Sequence, residues 1–150
     1  MAIQNVAVLG SGIMGGGIAA HLVNAGLNVK LFDLSLEQSQ KGLEFQTKIK
    51  PAAFFNKKQA GKISTFAFDD VTELEDMDWI IEVIVERLDI KQSLFKKIAP
   101  HIGKNAILSS NTSGLSMNAM AEALPDDLKS RFFITHFFNP PRYLKLVEVV

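Results

Sequence analysis

The stretch VAVLGSGIMG, residues 6–15, decides the fold of this chain. It joins a short apolar run to three glycines in the pattern G-x-G-x-x-G, at Gly10, Gly12 and Gly15. A helical pattern follows these glycines, and a second apolar strand follows the helix. A strand, a glycine turn, a helix and a strand within about thirty residues predict a βαβ unit.

Each glycine of this pattern has a physical role in binding a dinucleotide. Gly10 permits the tight turn, Gly12 removes the Cβ that would block a pyrophosphate, and Gly15 lets helix and strand pack closely. The helix N-terminus adds N–H groups and a positive dipole for the phosphates. Asp33, 23 residues after Gly10, would accept hydrogen bonds from the adenosine ribose and repel a 2′-phosphate. We therefore expect NAD rather than NADP; the alternative is a glycine-rich turn with an unrelated aspartate.

The rest of the chain alternates apolar strands with helical segments, which predicts an α/β fold with a doubly wound, Rossmann-type parallel sheet. The predicted strands cover residues 6–9, 28–32, 63–66, 79–85, 106–108, 132–135 and 144–149, and the predicted helices cover 14–25, 36–60, 90–98 and 116–124. We expect Pro51 to divide the 36–60 segment into two helices, which form a helical insertion after the second strand. The last strands are expected to pair antiparallel.

Composition excludes several classes of function. Acidic and basic residues number 16 each, so no overall field attracts nucleic acid or an anionic membrane. The absence of cysteine excludes disulfides and thiolate zinc sites, and no metal site is expected. No stretch approaches the ~18 apolar residues of a membrane span, and no secretory leader precedes the first strand, so we expect a cytoplasmic protein. Residues 146–150 are apolar except for Glu148 and read as a strand without a polar tail, which predicts that 1–150 is the first domain of a longer chain.

A histidine and a glutamate in the last two predicted strands form a candidate catalytic pair. His136 ends an apolar strand, and Glu148 lies 12 residues later among leucine and valine residues, where an unpaired buried carboxylate would be costly. If the two segments fold back antiparallel around Arg142, positions 136 and 148 stand opposite each other. The carboxylate would then fix one imidazole nitrogen as a donor and leave the other free to accept a substrate proton. From the residues alone, a core histidine held by a structural glutamate is an equally good interpretation.

The polar run SSNTSG, residues 109–114, directly follows the predicted strand 106–108. Ligands of open α/β sheets bind at the carboxyl ends of the strands. Hydroxyl groups there could bond a substrate oxygen or the nicotinamide ribose. A helix-capping loop before Ser116 explains the same residues equally well.

Together, these motifs resemble the L-3-hydroxyacyl-CoA dehydrogenase family over essentially the whole chain. The matching segments are GSGIMGGGIA at 10–19, Asp33, IVERLDIK at 84–91, SSNTSG at 109–114, HFFNP at 136–140 and LVEV at 146–149. Several ordered motifs at suitable spacing are far more specific than any one of them. The segments SSNTSG and HFFNPPRYLKL are most similar to long bacterial members of the family that also carry a hydratase-like module.

The resemblance implies NAD-dependent oxidation of an L-3-hydroxyacyl-CoA to a 3-oxoacyl-CoA, a step of fatty-acid β-oxidation. It implies His136 as general base, Glu148 as its orienting partner, and Ser113 as the residue that bonds the substrate's 3-oxygen near the nicotinamide. It also implies cofactor contacts at Met14, Glu86, Lys91, Ser113 and Asn139. Without the family, Glu86 and Lys91 are better explained as a solvated strand end and helix start.

Members of the family have a second, all-helical domain after LVEV, which completes the acyl site and makes the dimer contacts. We therefore expect an acyl-CoA substrate and a full-length protein that forms a dimer or part of a β-oxidation complex. Six lysines between positions 41 and 62 suit a CoA phosphate, although a solvated helix face explains most of them. Two other functions stay open: an NAD-dependent dehydrogenase of another small 3-hydroxy acid, and a non-catalytic NAD-binding module.

Overall fold

The computed structural model describes residues 2–150, in which strands and helices alternate. The strands are β1 (Asn5–Leu9), β2 (Asn28–Asp33), β3 (Ile63–Ala67), β4 (Trp79–Glu82), β5 (Ile107–Ser110), β6 (Phe132–Phe137) and β7 (Val147–Val149). The helices are α1 (Ile13–Asn24), α2 (Leu36–Lys48), α3 (Leu88–Ile98), α4 (Met117–Ala121) and α5 (Asp126–Lys129). Short 3₁₀ helices lie at Lys57–Lys62, Val71–Leu74 and Ala99–His101.

The strands form one sheet in the order β3-β2-β1-β4-β5-β6-β7. β1 to β6 pair in parallel, whereas β7 pairs antiparallel with β6. The chain direction across the sheet reverses between β1 and β4, and ligands of such sheets bind at the carboxyl ends of the strands beside this switch point. The prediction of a doubly wound, Rossmann-type sheet with an antiparallel last strand is confirmed.

Helices cover both faces of the central strands, so β1 is buried on both sides. Val8 packs on one face with Ile18 of α1, while Leu9 packs on the other face with Phe95 of α3. All four side chains are at most 1% exposed. This packing holds the carboxyl end of β1 rigidly in the middle of the sheet edge.

The insertion after β2 differs from the prediction of two helices. α2 ends at Lys48, residues 49–56 are irregular, and only a 3₁₀ helix follows. Pro51 lacks the N–H that a helix needs there. Instead, the Arg142 guanidinium donates to the carbonyls of Ala52 and Phe54, at 2.7 and 2.9 Å. A distant side chain therefore satisfies backbone groups that a second helix would have paired internally.

Two predicted strands are shorter in the structure, and one helix was not predicted. β4 ends at Glu82 rather than at residue 85: the N–H of Val83 still donates to the Leu9 carbonyl at 2.8 Å, but Val85 is 59% exposed. β7 begins at Val147 rather than at residue 144, and α5 was absent from the prediction. Within residues 2–150, no helix has both the length and the apolar composition that crossing a bilayer requires.

Candidate active site

Close backbone contacts fix the glycine turn between β1 and α1. Gly10 has a φ of +111°, and its N–H donates to the Phe32 carbonyl at 2.8 Å. A Cβ on Gly15 would lie 1.8 Å from the Gly10 carbonyl oxygen. A Cβ on Gly12, in contrast, would meet no atom within 4 Å. The protein's own packing therefore requires Gly10 and Gly15, whereas Gly12 keeps space open at the N-terminus of α1.

This open space fits the pyrophosphate of a dinucleotide. Gly12 is the N-cap of α1 and offers no side chain to cap it, and the first turn of the helix contains no acidic residue. The first N–H groups of a helix have no partner within the helix, and its dipole favours an anion there. The turn thus combines room, hydrogen-bond donors and a favourable field.

Asp33, at the end of β2, lies directly beside this turn. Its Oδ2 accepts the backbone N–H of Ser11 at 2.8 Å and also the Ser11 hydroxyl, while its Oδ1 accepts the Leu34 N–H at 2.7 Å. The side chain is only partly buried. Because each carboxylate oxygen can accept two hydrogen bonds, Asp33 holds the turn and retains acceptor capacity for ribose hydroxyls.

β6 and β7 bring the two predicted catalytic side chains together. His136 stands opposite Glu148 in the antiparallel register, as the fold-back around Arg142 predicted. Nδ1 of His136 lies 2.8 Å from Oε2 of Glu148. With Nδ1 as the donor, Nε2 carries no proton and can accept one. The premise of a buried carboxylate was wrong, because β7 is exposed along its length and the Glu148 side chain is 56% exposed.

A cavity of about 340 Å³ opens where β4, β5 and β6 end. Five predicted site residues line it, namely Met14, Glu86, Ser113, His136 and Asn139. A second cavity, of about 210 Å³, is lined by Ser113, His136 and Glu148 among others. Because Ser113 and His136 line both, these two residues lie where the cavities meet.

The first residues of the polar run after β5 are structural. The Ser109 hydroxyl is buried, lies 2.8 Å from the Thr135 hydroxyl, and accepts the indole N–H of Trp79 at 2.9 Å. These bonds join three strands, since Trp79 begins β4 and Thr135 belongs to β6. They hold the strand that carries His136 against its neighbours.

Two later residues of the run, and Ser116 just after it, differ in their surroundings. Oδ1 of Asn111 accepts the backbone N–H of Phe137 at 2.8 Å, which anchors the end of β6. Ser113 is exposed and lines both cavities. Ser116 is the N-cap of α4, with its hydroxyl 3.4 Å from the Ala119 N–H. The structure thus shows a helix cap at Ser116, whereas ligand binding by Ser113 stays a prediction.

Glu86 organises the loop that carries Ser113. Its Oε1 accepts the N–H groups of Ser113 and Gly114, at 3.1 and 3.3 Å, together with the Thr112 hydroxyl. Burial raises the pKa of Glu86, but the hydrogen bond from Thr112 and the charge of Lys91 outweigh it, so the pKa falls below its usual range. The side chain is therefore a carboxylate at neutral pH, and it lies at the wall of the larger cavity.

Lys91 is not the solvated residue that its sequence context suggested. Its side chain is 1% exposed, and its Nζ lies 2.6 Å from Oε1 of Glu82 and 3.4 Å from Oε2 of Glu86. Sequence reasoning missed Glu82, although an acidic residue in an apolar run needs a partner when buried. Direct contact between Lys91 and the cofactor stays a prediction, because carboxylates enclose its ammonium group in this structure.

The lysines of the insertion include two that pair within α2. Lys41 lies 2.6 Å from Glu37, and Lys48 contacts Glu44, in both cases one helical turn away and on the exposed surface. A solvated helix face accounts for these two. In the part of the chain that the structure describes, no group of three or more histidine, aspartate or glutamate side chains could hold a metal ion.

Comparison with known proteins identifies the family. The sequence profile described as "3-hydroxyacyl-CoA dehydrogenase, NAD binding domain" matches residues 5–150. The chain belongs to this family. The resemblance inferred from the motifs is confirmed, and NAD is the cofactor of the domain.

Proteins named as 3-hydroxyacyl-CoA dehydrogenases are similar over the whole chain. One from Deinococcus radiodurans is 42% identical over 158 residues, which include 100% of this chain and 46% of that protein. One from Bacillus subtilis is 43% identical over 170 residues, with 99% of this chain and 22% of that protein covered. This chain therefore spans less than half the length of these curated relatives.

Two solved structures share the fold over almost the whole chain. FadB2 from M. tuberculosis has a TM-score of 0.87 at 29% identity, covering 99% of this chain and 54% of that one. (S)-3-hydroxybutyryl-CoA dehydrogenase PaaH1 from Ralstonia eutropha has a TM-score of 0.83 at 32% identity, with 99% and 54% covered.

Proposed function

We propose that this chain is the NAD-binding part of an enzyme that oxidises L-3-hydroxyacyl-CoA to 3-oxoacyl-CoA in fatty-acid β-oxidation. The main support is the 2.8 Å contact between His136 Nδ1 and Glu148 Oε2, beside the two cavities that share Ser113. The names of the relatives from D. radiodurans and B. subtilis agree with this reaction.

In the proposed reaction, His136 is the general base. Its Nε2 accepts the proton of the substrate's 3-hydroxyl, and Glu148 stabilises the imidazolium that forms. Ser113 donates a hydrogen bond to the 3-oxygen from the wall that both cavities share. When bound, NAD supplies the hydride acceptor. In the reverse direction, the imidazolium of His136 returns the proton to the same oxygen.

The proposed cofactor site extends from the glycine turn to the larger cavity. The turn at Gly10, Gly12 and Gly15 places the pyrophosphate at the N-terminus of α1, whose first N–H groups bind it, and Asp33 binds the adenosine ribose. The nicotinamide end occupies the larger cavity, where the proposed contacts are Met14, Glu86, Ser113 and Asn139.

The acyl site is the part of the proposal that needs more than residues 2–150. The smaller cavity borders β7, whose neighbouring apolar side chains Val149 and Val150 are 68% and 71% exposed. We propose that the all-helical domain of the family packs against this edge, completes the acyl site and makes the dimer contacts.

The proposal includes a place in a larger assembly. One relative, from Rickettsia felis, is named as a fatty acid oxidation complex trifunctional enzyme, and it is 42% identical over 157 residues. We propose that the full-length protein is a dimer or part of such a complex. Its cytoplasmic location stays a prediction from the sequence.

Steady-state kinetics of the full-length protein test the proposal. We expect NADH oxidation with acetoacetyl-CoA, and His136→Ala should lower kcat by about 10²–10⁴-fold, the usual contribution of a general base. NADH binding should be retained in this variant. His101→Ala is the matched control, because His101 lies near Glu75 (3.5 Å) and outside both cavities.

Three results would contradict parts of the proposal. A loss below about threefold in His136→Ala would remove the base assignment, since general-base help is worth far more. Turnover of free 3-hydroxybutyrate without turnover of the thioester would indicate a dehydrogenase of small hydroxy acids. NADH binding without turnover of any acyl-CoA would indicate a non-catalytic module.

A further inference from the structure

Three charged side chains form a cluster behind the larger cavity, and two of them are buried. The side chains of Glu82 and Lys91 are 0% and 1% exposed, whereas that of Glu86 is 43% exposed. We propose that Glu82 neutralises Lys91, so that the negative charge of Glu86 acts on the cavity and favours the oxidised, cationic nicotinamide over the reduced, neutral one. This inference rests on the proposed function, because it needs the nicotinamide in this cavity.

The hydrogen bonds of Glu82 direct its charge at Lys91. Oε1 of Glu82 accepts the backbone N–H of Ile84 at 2.7 Å and lies 2.6 Å from Lys91 Nζ. Oε2 accepts the Ser110 hydroxyl. Both oxygens are thus held by neighbours from β5, from α3 and from the segment that follows β4. A buried ammonium group without such a partner would be strongly destabilising.

Glu86 faces two ways. Its Oε1 receives hydrogen bonds from the loop that carries Ser113, while its Oε2 lies 3.4 Å from Lys91 Nζ, farther than the 2.6 Å contact of Glu82. Two carboxylates and one ammonium group give the cluster a formal charge of −1. Because Glu82 lies deeper and closer to Lys91, the carboxylate open to the cavity is that of Glu86.

Removing the charge of Glu82 would change the electrostatic potential in the larger cavity. In Glu82→Gln, Lys91 has only Glu86 as an anionic partner, so the formal charge of the cluster falls to zero. The glutamine retains an oxygen for the Ile84 N–H. A unit charge about 10 Å away, at an effective dielectric constant of about 20, shifts the relative binding of a cation and a neutral molecule by on the order of tenfold.

Calorimetric titration of full-length protein with NAD⁺ and with NADH tests this inference. The ratio of the two dissociation constants, Kd for NAD⁺ over Kd for NADH, should rise about tenfold in Glu82→Gln. Glu86→Gln should raise the ratio in the same direction. The double variant Glu82→Gln/Lys91→Met removes both buried charges, so its ratio should return to the wild-type value.

Asp126→Asn is the matched control for a lost carboxylate, because Asp126 pairs with Lys129 at 2.8 Å in α5, outside both cavities. Its ratio should equal that of the wild type. Thermal unfolding of each variant separates a loss of folding from a change in binding.

A purely structural cluster would give a different pattern. Equal weakening of NAD⁺ and NADH by Glu82→Gln, or a double variant whose ratio stays shifted, would overturn the inference and leave the proposed function intact. Wild-type protein that binds neither nucleotide would overturn the proposed function itself. If Glu82→Gln does not fold, an unchanged ratio in Glu86→Gln overturns the inference on its own.

Discussion

The carboxylate of Asp33 combines two tasks at one sheet edge. It accepts the Ser11 N–H at 2.8 Å and so holds the glycine turn, while its partly buried position leaves acceptor capacity toward the proposed ribose site. The same carboxylate would therefore hold the turn and bind the ribose. Substitutions at this position should change cofactor preference before they change the fold.

We predict that Asp33→Asn weakens NADH binding about tenfold or more, because hydrogen bonds to a charged group contribute roughly 1.5–3 kcal/mol. Asp33→Arg should in addition favour NADPH, since a cation would replace the charge that repels a 2′-phosphate. Titrations with NADH and NADPH measure both effects, and unchanged NADH affinity in both variants would contradict the ribose assignment.

Whether the surroundings of a single residue could be predicted depended on whether its contacts come from nearby positions in the sequence. The tight turn at Gly10 and the position of Asp33 beside it follow from motifs that a few neighbouring residues define, so the sequence was sufficient for these two features. Lys91 looks like any surface lysine at the start of an amphipathic helix. Its burial depends on Glu82 of β4, whose Oε1 lies 2.6 Å from Lys91 Nζ. No local sequence pattern predicts that contact.

Two glycines of the βαβ unit separate folding from binding. Gly12 has an extended backbone, with φ −61° and ψ −173°, which any residue adopts. A Cβ there meets no protein atom within 4 Å, whereas one on Gly15 would lie 1.8 Å from the Gly10 carbonyl oxygen. A side chain added at Gly12 should therefore affect ligand binding, whereas one added at Gly15 should affect folding.

We predict that Gly12→Ala preserves the melting temperature but weakens NADH binding, because the new methyl group occupies the proposed pyrophosphate space. Gly15→Ala should instead lower the free energy of unfolding by about 1–3 kcal/mol or more, as overpacking does. Thermal melts and NADH titrations of both variants check this.

Gly61→Ala is the control for this pair, since a Cβ there also meets nothing within 4 Å and the residue lies far along the chain from the turn. It should change neither quantity. Full NADH affinity in a folded Gly12→Ala would show that the space at the α1 N-terminus holds no phosphate.

At the scale of elements, the antiparallel pairing of β6 with β7 was predictable, although the connection 138–146 is long enough for registers other than the one that joins His136 and Glu148. The irregular segment 49–56 was not, because Arg142 from the opposite end of the chain bonds its carbonyls. Val83 and Ile84 border the larger cavity and do not extend β4, while Val85 is exposed. Apolar runs alone do not distinguish these two cases.

The stability of the whole domain should depend on His21, a residue of α1 that faces the Arg142 region. Within the described residues its Nδ1 has no hydrogen-bond partner. Burial, and then the charge of Arg142, lower the pKa of His21 below its ordinary value of 6.5. The folded state thus disfavours the protonated form more than the unfolded chain does.

We predict that this residue makes the protein less stable in acid. Below about pH 6.5 the unfolded chain takes up a proton that folded His21 resists, so stability is lost as the pH falls from 6.5 toward the lower folded pKa. In His21→Leu, the decrease in melting temperature between about pH 8 and pH 5 should be smaller. If the decrease in melting temperature is the same in His21→Leu as in the wild type, other groups cause the loss of stability in acid. His101→Leu is the control, and its decrease should match that of the wild type.

The hydrogen bond from Trp79 to Ser109 also gives the domain an internal optical reporter. Trp79 is the one tryptophan of the sequence, and its indole N–H is bonded at 2.9 Å beneath the strand that precedes Ser113. Indole emission overlaps the absorption band of reduced nicotinamide. Energy transfer to bound NADH would quench the fluorescence of Trp79. This quenching would measure the fraction of protein molecules that hold NADH, in dilute solution and without an added dye.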